Sequence, residues 1–308
     1  MVERVALLRA PNPSAMTLDG TNTWLLASRN GEALCIDPGP AIPAHVDRIV
    51  AYLRENDLAL RSILLTHGHP DHAPAAPMLA AATGARIFAH RYSAAVHDEV
   101  LNDNQEMRVG DLQLVAIDAP GHTLEHLVFY ERESATLFTG DTILGTGTVV
   151  IAPPGGAMRP YQATLRRLLA EFGDARTICC GHGPIVTEPR AKIEEYIAHR
   201  ERREAELLGA LAAGPQTIPD LVERIYRDAD MRLWAAAARQ MLAYLIALEE
   251  ERRVSAIRLE RPLTEREHAI LNPDWVNVVG AEHAPLVEAE LGAQLRLDTL
   301  YEYSLNLP

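Results

Sequence analysis

The chain has 308 residues but only three cysteines, a single lysine and no long apolar run, and each shortage excludes something. Cys35, Cys179 and Cys180 give no disulfide framework and suit a reducing compartment. No apolar leader follows the mixed charges of Met1-Val2-Glu3-Arg4, and no stretch is long enough to span a bilayer. Export and membrane insertion are therefore not indicated, and a cytoplasmic location is expected. Lys192 is the one lysine among 29 basic residues, which leaves 28 arginines, and 42 acidic residues bring the formal charge to −13. That balance disfavours tight nonspecific binding to a polyanion such as RNA. Any phosphate recognition would fall to local arginines, which suit bidentate contacts. What remains is ordinary: 48% hydrophobic and 23% charged residues, in a chain long enough to bury a full core.

Against this background one stretch is dense with chemistry. Thr66-His67-Gly68-His69-Pro70-Asp71-His72 sets three imidazoles and a carboxylate within six positions. The apolar run Arg61 to Thr66 before it reads as a buried strand, and the alanine-rich run Ala75 to Ala82 after it reads as a short helix stopped at Gly84. The cluster thus falls on a loop leaving the carboxyl end of a strand, where α/β proteins place ligand sites. Neutral imidazole and carboxylate suit zinc, manganese or iron(II) better than calcium or magnesium. Four donors so close cannot all reach one ion in good geometry, which points to two ions side by side.

Further donors follow in order. Pro120-Gly121-His122-Thr123 comes after the strand pattern Leu112 to Ile117, Phe138-Thr139-Gly140-Asp141 closes the pattern begun at Ala135, and Gly181-His182-Gly183 follows Thr177 to Cys180. Each time a short apolar strand ends in glycine and one donor, and glycine permits close backbone approach. Cys180, two positions before His182, reads as a buried strand residue rather than a ligand.

In these motifs, together with Ile36-Asp37-Pro38-Gly39, the chain resembles the metallo-β-lactamase superfamily of binuclear hydrolases over about residues 17 to 200. The resemblance implies an α/β fold, a four-layer αββα sandwich. Carried over position by position, His67, His69 and His122 would hold one ion, and Asp71, His72 and His182 the other, with Asp141 bridging. Asp37 would sit behind the metal histidines and fix an imidazole tautomer. Met16 to Thr23, Gly121 to His126 and Gly140 to Gly145 look like the β-lactamase-like protein 2 branch, with glyoxalase II a more distant cousin. The animal members of that branch are mitochondrial endoribonucleases, and fungal relatives are thioesterases. Asn22, in the Thr21-Asn22-Thr23 stretch, is a further candidate near the ions or the substrate.

Other segments are placed more coarsely. Asn22 to Leu26 and Ala33 to Ile36 form a hairpin around Ser28-Arg29-Asn30-Gly31, and His45 to Glu55 is an amphipathic helix. His126 is expected to pack or hydrogen-bond behind the site, and His90 and His97 to be structural. Residues 145 to 161 are rich in Gly and Pro and directly follow Asp141, as a lid or pocket wall would. Arg159 and Tyr161 could there meet a substrate oxyanion, or could simply begin the helix Gln162 to Phe172.

The division expected is a catalytic domain over 1–198, a mainly helical, winged-helix-like domain over 199–260 and an extension over 261–308 of unknown role. Residues 199–260 carry ten arginines against eleven acids, a balance that fits packing or a homodimer contact better than nucleic acid. The chemistry implied is hydrolysis by a water shared between two divalent cations, zinc first, with Asp71 or Asp141 handling the proton. The substrate expected is a small-molecule thioester, ester or lactone; the alternative is single-stranded RNA.

Overall fold

The computed structural model describes residues 4–279, 281, 284–291 and 297–306. Its described elements fall into two compact units, residues 1–149 with 164–194, and residues 150–163 with 195–308. No helix among the described residues is long and apolar enough to cross a membrane.

The first unit opens with strands β1 (Val5–Arg9), β2 (Asn22–Ala27) and β3 (Glu32–Ile36), then α1 (Pro43–Glu55), β4 (Ala59–Leu64), α2 (Ala76–Thr83), β5 (Arg86–His90) and β6 (Glu99–Leu101). These six strands form one sheet in sequence order. The β2–β3 hairpin is antiparallel, whereas β3, β4, β5 and β6 run parallel, with α1 and α2 in the crossovers. A second sheet, ordered β11-β10-β9-β8-β7, comprises β7 (Glu106–Val109), β8 (Leu112–Asp118), β9 (Leu127–Glu131), β10 (Thr136–Gly140) and β11 (Thr177–Cys180). Helix α3 (Met158–Phe172) links β10 to β11, and its Phe172 ring lies 5.0 Å from Tyr130 on β9.

Strand periodicity explains the layering. Successive side chains point to opposite faces, so both faces of a buried sheet must be apolar. Leu25, Ala33, Cys35 and Ile63 pack with Val46, Ile49 and Leu53 of α1 and Leu79 of α2. Their neighbours Trp24, Leu26, Leu34, Ile36 and Leu64 face the other way and pack with Leu112, Leu114, Phe129 and Phe138 of the second sheet. The carboxyl ends of β4, β8, β10 and β11 then release the four loops that carry donors.

The second unit takes in α4 (Pro189–Leu211, from Glu195 on), β12 (Gln216–Thr217), α5 (Ile218–Ile225), α6 (Trp234–Glu250), β13 (Val254–Arg258), α7 (Glu265–Leu271), α8 (Trp275–Val279), α9 (Ala284–Glu290) and β14 (Tyr301–Leu305). Thr217 caps α5 with Asp220 in a reciprocal capping box, and Thr264 does the same for α7 with Glu267. The segment 261–308 had no reading in the sequence, and part of it lies outside the described residues. It supplies β14, the middle strand of a three-stranded sheet β12-β14-β13, so it belongs to this unit's fold.

Residues 150–163 also belong to this unit. Helix α3 starts at Met158, four residues before the expected Gln162, because Arg159 and Tyr161 are tied down at its first turn. Tyr161 is fully buried beneath the guanidinium of Arg200, 5.1 Å from its ring centre. Arg159 pairs with Glu204 and Glu251 and donates to Gln162 at 2.6 Å. Of the two readings of these side chains, the helix start is the one the structure shows, and substrate contact is not: one has no exposed surface, and the other's charge is matched by two carboxylates.

Candidate metal centre

The loop after β4 is held tightly enough to aim several side chains inward. The amide of Leu65 donates to Phe88 O at 2.9 Å, continuing the pairing towards β5 beyond the strand itself. The amides of His72 and Ala73 both donate to His69 O, at 3.1 and 3.2 Å, closing a turn that brings His69 near His72. Gly39, behind this turn, donates to His72 O at 3.0 Å.

The other donors arrive from the second sheet. The β8–β9 connection carries His122 and is clamped where Leu127 N donates to Thr66 O at 2.7 Å. Asp141 follows β10, and His182 follows β11. Asn22 fixes that last loop: its Nδ2 donates to Cys180 O at 3.0 Å and to Gly183 O at 2.9 Å, and its amide donates to Gly181 O at 2.8 Å. Cys180 itself is fully buried, and burial raises its thiol to about 12.

The seven expected side chains meet. The donor atoms of His67, His69 and His122 lie within 4.8 Å of one another, as do those of Asp71, His72 and His182. His69 Nδ1 is 3.0 Å from His122 Nε2, and His72 Nε2 is 3.3 Å from His182 Nε2. Asp71 Oδ2 is 3.2 Å from His72 and 3.1 Å from His182. Asp141 reaches both groups: Oδ1 is 3.4 Å from His72, and Oδ2 is 3.4 Å from His182 and 3.7 Å from His122.

Behind these, a single carboxylate sets two tautomers. Asp37 accepts the amide of Thr66 at 2.8 Å, its hydroxyl at 2.7 Å and the Nδ1–H of His72 at 2.8 Å. The Thr66 hydroxyl has one proton and gives it to Asp37, so at 2.9 Å it accepts from His67 Nδ1. Both rings therefore turn an Nε2 lone pair to the centre. Thr66 carries half of this relay, and the sequence reading missed it; a hydroxyl beside the first histidine was the one signal for it. His126 lies behind the centre as expected: its ring stacks on His67 at 4.7 Å and its Nε2 accepts the amide of Asp141 at 3.2 Å.

Electrostatics show what the cluster lacks. Burial raises the carboxyl pKa of Asp71 and Asp141, yet His72 and His182 hold both well below the usual range. Burial likewise opposes charge on the imidazoles. His182 is nonetheless raised to about 10 by Asp141 and Asp71, and His72 is raised by Asp71, Asp141 and Asp37. Burial and neighbouring histidines lower His69 to about 3 and keep His67 neutral. Two carboxylates are thus offset by protons that a divalent cation would displace. His67 Nε2 and Asp71 Oδ1 are buried with no hydrogen-bond partner, as atoms reserved for a ligand would be. Space is reserved too: a Cβ on Gly181 would lie 2.4 Å from Asp141 Oδ1 and 2.8 Å from His72 Cε1.

Comparison with known proteins agrees with this geometry. The profile of the metallo-beta-lactamase superfamily matches residues 16–182, and that of the beta-lactamase associated winged helix domain matches residues 217–260. The chain is 34% identical over 258 residues to the beta-lactamase-like protein 2 homolog of Drosophila melanogaster, spanning 78% of this chain and 86% of that one. It is 31% identical over 237 residues to the atrochrysone carboxyl ACP thioesterase of Aspergillus chevalieri, spanning 72% and 73%. Among solved structures, a metallo-beta-lactamase family protein from Thermus thermophilus shares the fold at TM-score 0.69 and 24% identity, covering 82% of this chain and 96% of that one.

Proposed function

Because the chain belongs to the metallo-β-lactamase superfamily and is a metal-dependent hydrolase, we propose that it works with two ions on a small-molecule thioester, ester or lactone. The ion-binding sets are His67, His69 and His122, and Asp71, His72 and His182, with Asp141 shared. One observation carries the binuclear reading: a single carboxylate, Asp141, lies within 3.4 to 3.7 Å of histidines from both sets. Zinc is the proposed metal, since five imidazoles and two carboxylates match its ligand preferences.

Two divalent cations held by these residues would supply Lewis-acid polarisation of a carbonyl and a more acidic water. The chain's own residues do the rest. Asp37 and Thr66 hold His72 and His67 in the tautomer that presents Nε2. Thr21 donates to Asp71 Oδ2 at 2.8 Å and steadies that carboxylate, leaving Oδ1 as the atom able to take up the proton shed by the attacking water. Burial of the cluster excludes competing solvent and strengthens each of these interactions.

Acyl chemistry is favoured over phosphodiester cleavage by the charge of −13, since RNA binding draws on clustered cations. The thioesterase name of the Aspergillus relative supports the same class. The test is turnover by the metal-loaded protein against panels of thioesters and lactones and a labelled RNA oligonucleotide, alongside metal content per chain. Acyl turnover lost on chelation and two ions per chain are expected. RNA cleavage without acyl turnover, or saturation at one ion, would overturn the proposal.

A further inference from the structure

The loops beside the first histidine set expose three large side chains, Tyr92, Val96 and Leu124, among polar neighbours that include Arg91, 4.9 Å over the Tyr92 ring. Leu124 is 51% exposed, although it lies between His122 and His126, which are 8% and 1% exposed. Its neighbour Glu125 accepts the amide of Gly68 at 3.2 Å, tying this crest to the backbone between His67 and His69. A second loop reaches the same glycine: a Cβ there would lie 3.6 Å from Ser93 Oγ and 3.9 Å from the Ala95 amide. The residues flanking those two in sequence, Tyr92 and Val96, are 74% and 68% exposed.

That loop is built, not frayed. Ser93 N donates to His90 O at 2.9 Å, Ala95 N to Ser93 Oγ at 3.2 Å and His97 Nδ1 to Ala95 O at 2.8 Å. Ala95 packs against the helix-side core of the first sheet, so the loop is anchored from beneath. Single exposed apolar residues need no explanation, but three on the two loops that meet one inter-ligand glycine do.

Resting on the acyl-hydrolase reading above, we propose that Tyr92, Val96 and Leu124 form the subsite for the acyl body of the substrate, and that this body is bulky and apolar. The leaving arm of a biological thioester is a long polar chain that gains little from such a surface. The acyl group is the part whose burial against it is favourable, and the two loops that carry these side chains both reach Gly68, between His67 and His69. A short acyl group such as acetyl would leave the patch wet.

The test uses the metal-loaded full-length protein and one thiol esterified with acetyl, hexanoyl and benzoyl groups. The hexanoyl and benzoyl esters are expected to exceed acetyl in kcat/KM by about tenfold or more. The substitutions Leu124→Ser and Tyr92→Ser together, and Val96→Ser separately, are expected to lower that ratio several-fold with unchanged thermal melting, because all three side chains are exposed. A ratio near one in the parent protein, or an unchanged ratio in both variants, overturns the subsite while the hydrolase reading stands. Loss of self-association in the variants with no change in the ratio would assign the patch to a second copy of the chain and overturn it as well. No turnover of any thioester in the series would sink the underlying reading and this one together.

Discussion

Both units bury charge, and they resolve it in opposite ways. In the first, Asp71 and Asp141 are buried among imidazoles, with Asp71 Oδ1 and His67 Nε2 taking no hydrogen bond. Acceptors are in surplus, and the structure satisfies itself only by borrowing protons on His72 and His182. In the second unit, Arg200 is 2% exposed and is met by neutral groups: its Nη1 donates to Gln240 Oε1 at 3.1 Å and its guanidinium lies 5.1 Å from the Tyr161 ring centre. Tyr244 donates its hydroxyl to the Arg200 backbone carbonyl at 3.0 Å. Unmet acceptors mark a place for an external cation; a cation met by an aromatic face and an amide marks packing.

That contrast breaks most decisively at Asp141. Asp141→Asn removes the shared negative charge, so hydrolysis is expected to fall about a thousandfold, with a matching loss of bound metal by elemental analysis. Retention of bound metal and of turnover would show that the surplus acceptors are not a cation site. Asp37→Asn acts one layer out, by releasing two tautomers, and is expected to weaken metal binding about 10- to 100-fold in competition with a chromophoric chelator.

The second unit should respond in stability alone. Arg200→Ala removes a buried stem and its aromatic contacts, and is expected to cost about 2–3 kcal/mol in thermal or denaturant unfolding, with metal content per folded chain unchanged. Arg239 sharpens the comparison from the other side. It is 2% exposed, its Nη1 has no hydrogen-bond partner, and burial lowers its pKa. No ion pair meets it among the described residues, so Arg239→Met is expected to be neutral or to stabilise by about 1 kcal/mol. A loss of more than that would reveal a partner for this charge.

Much of the centre was legible because metal ligation needs particular residue types close to glycine and at strand ends. His67, His69, His122, Asp71, His72, Asp141 and His182 stand out in local motifs, and the structure brings them together. Asp37 is marked by resemblance, and its contact to His72 follows from the β3–β4 pairing. Arg159 and Tyr161 stayed open between substrate contact and helix start because a Gly/Pro-rich stretch close to Asp141 in sequence carries no record of which unit it joins. Their partners Glu204, Glu251 and Arg200 lie about 40 to 90 positions away. Residues 261–308 were opaque because β14 (Tyr301–Leu305) is a middle strand whose identity depends on pairing with β12 and β13.

The sequence by itself determined the donors, the strands that deliver them and the sign of the field they make, since each is a property of local composition and period. Which oxygen is left unpaired, which ring nitrogen faces inward, and whether a buried arginine meets a carboxylate or a tyrosine were decided only by tertiary contact. Hydrogen-bond pairing joins residues far apart in the chain, and no local pattern records the partner.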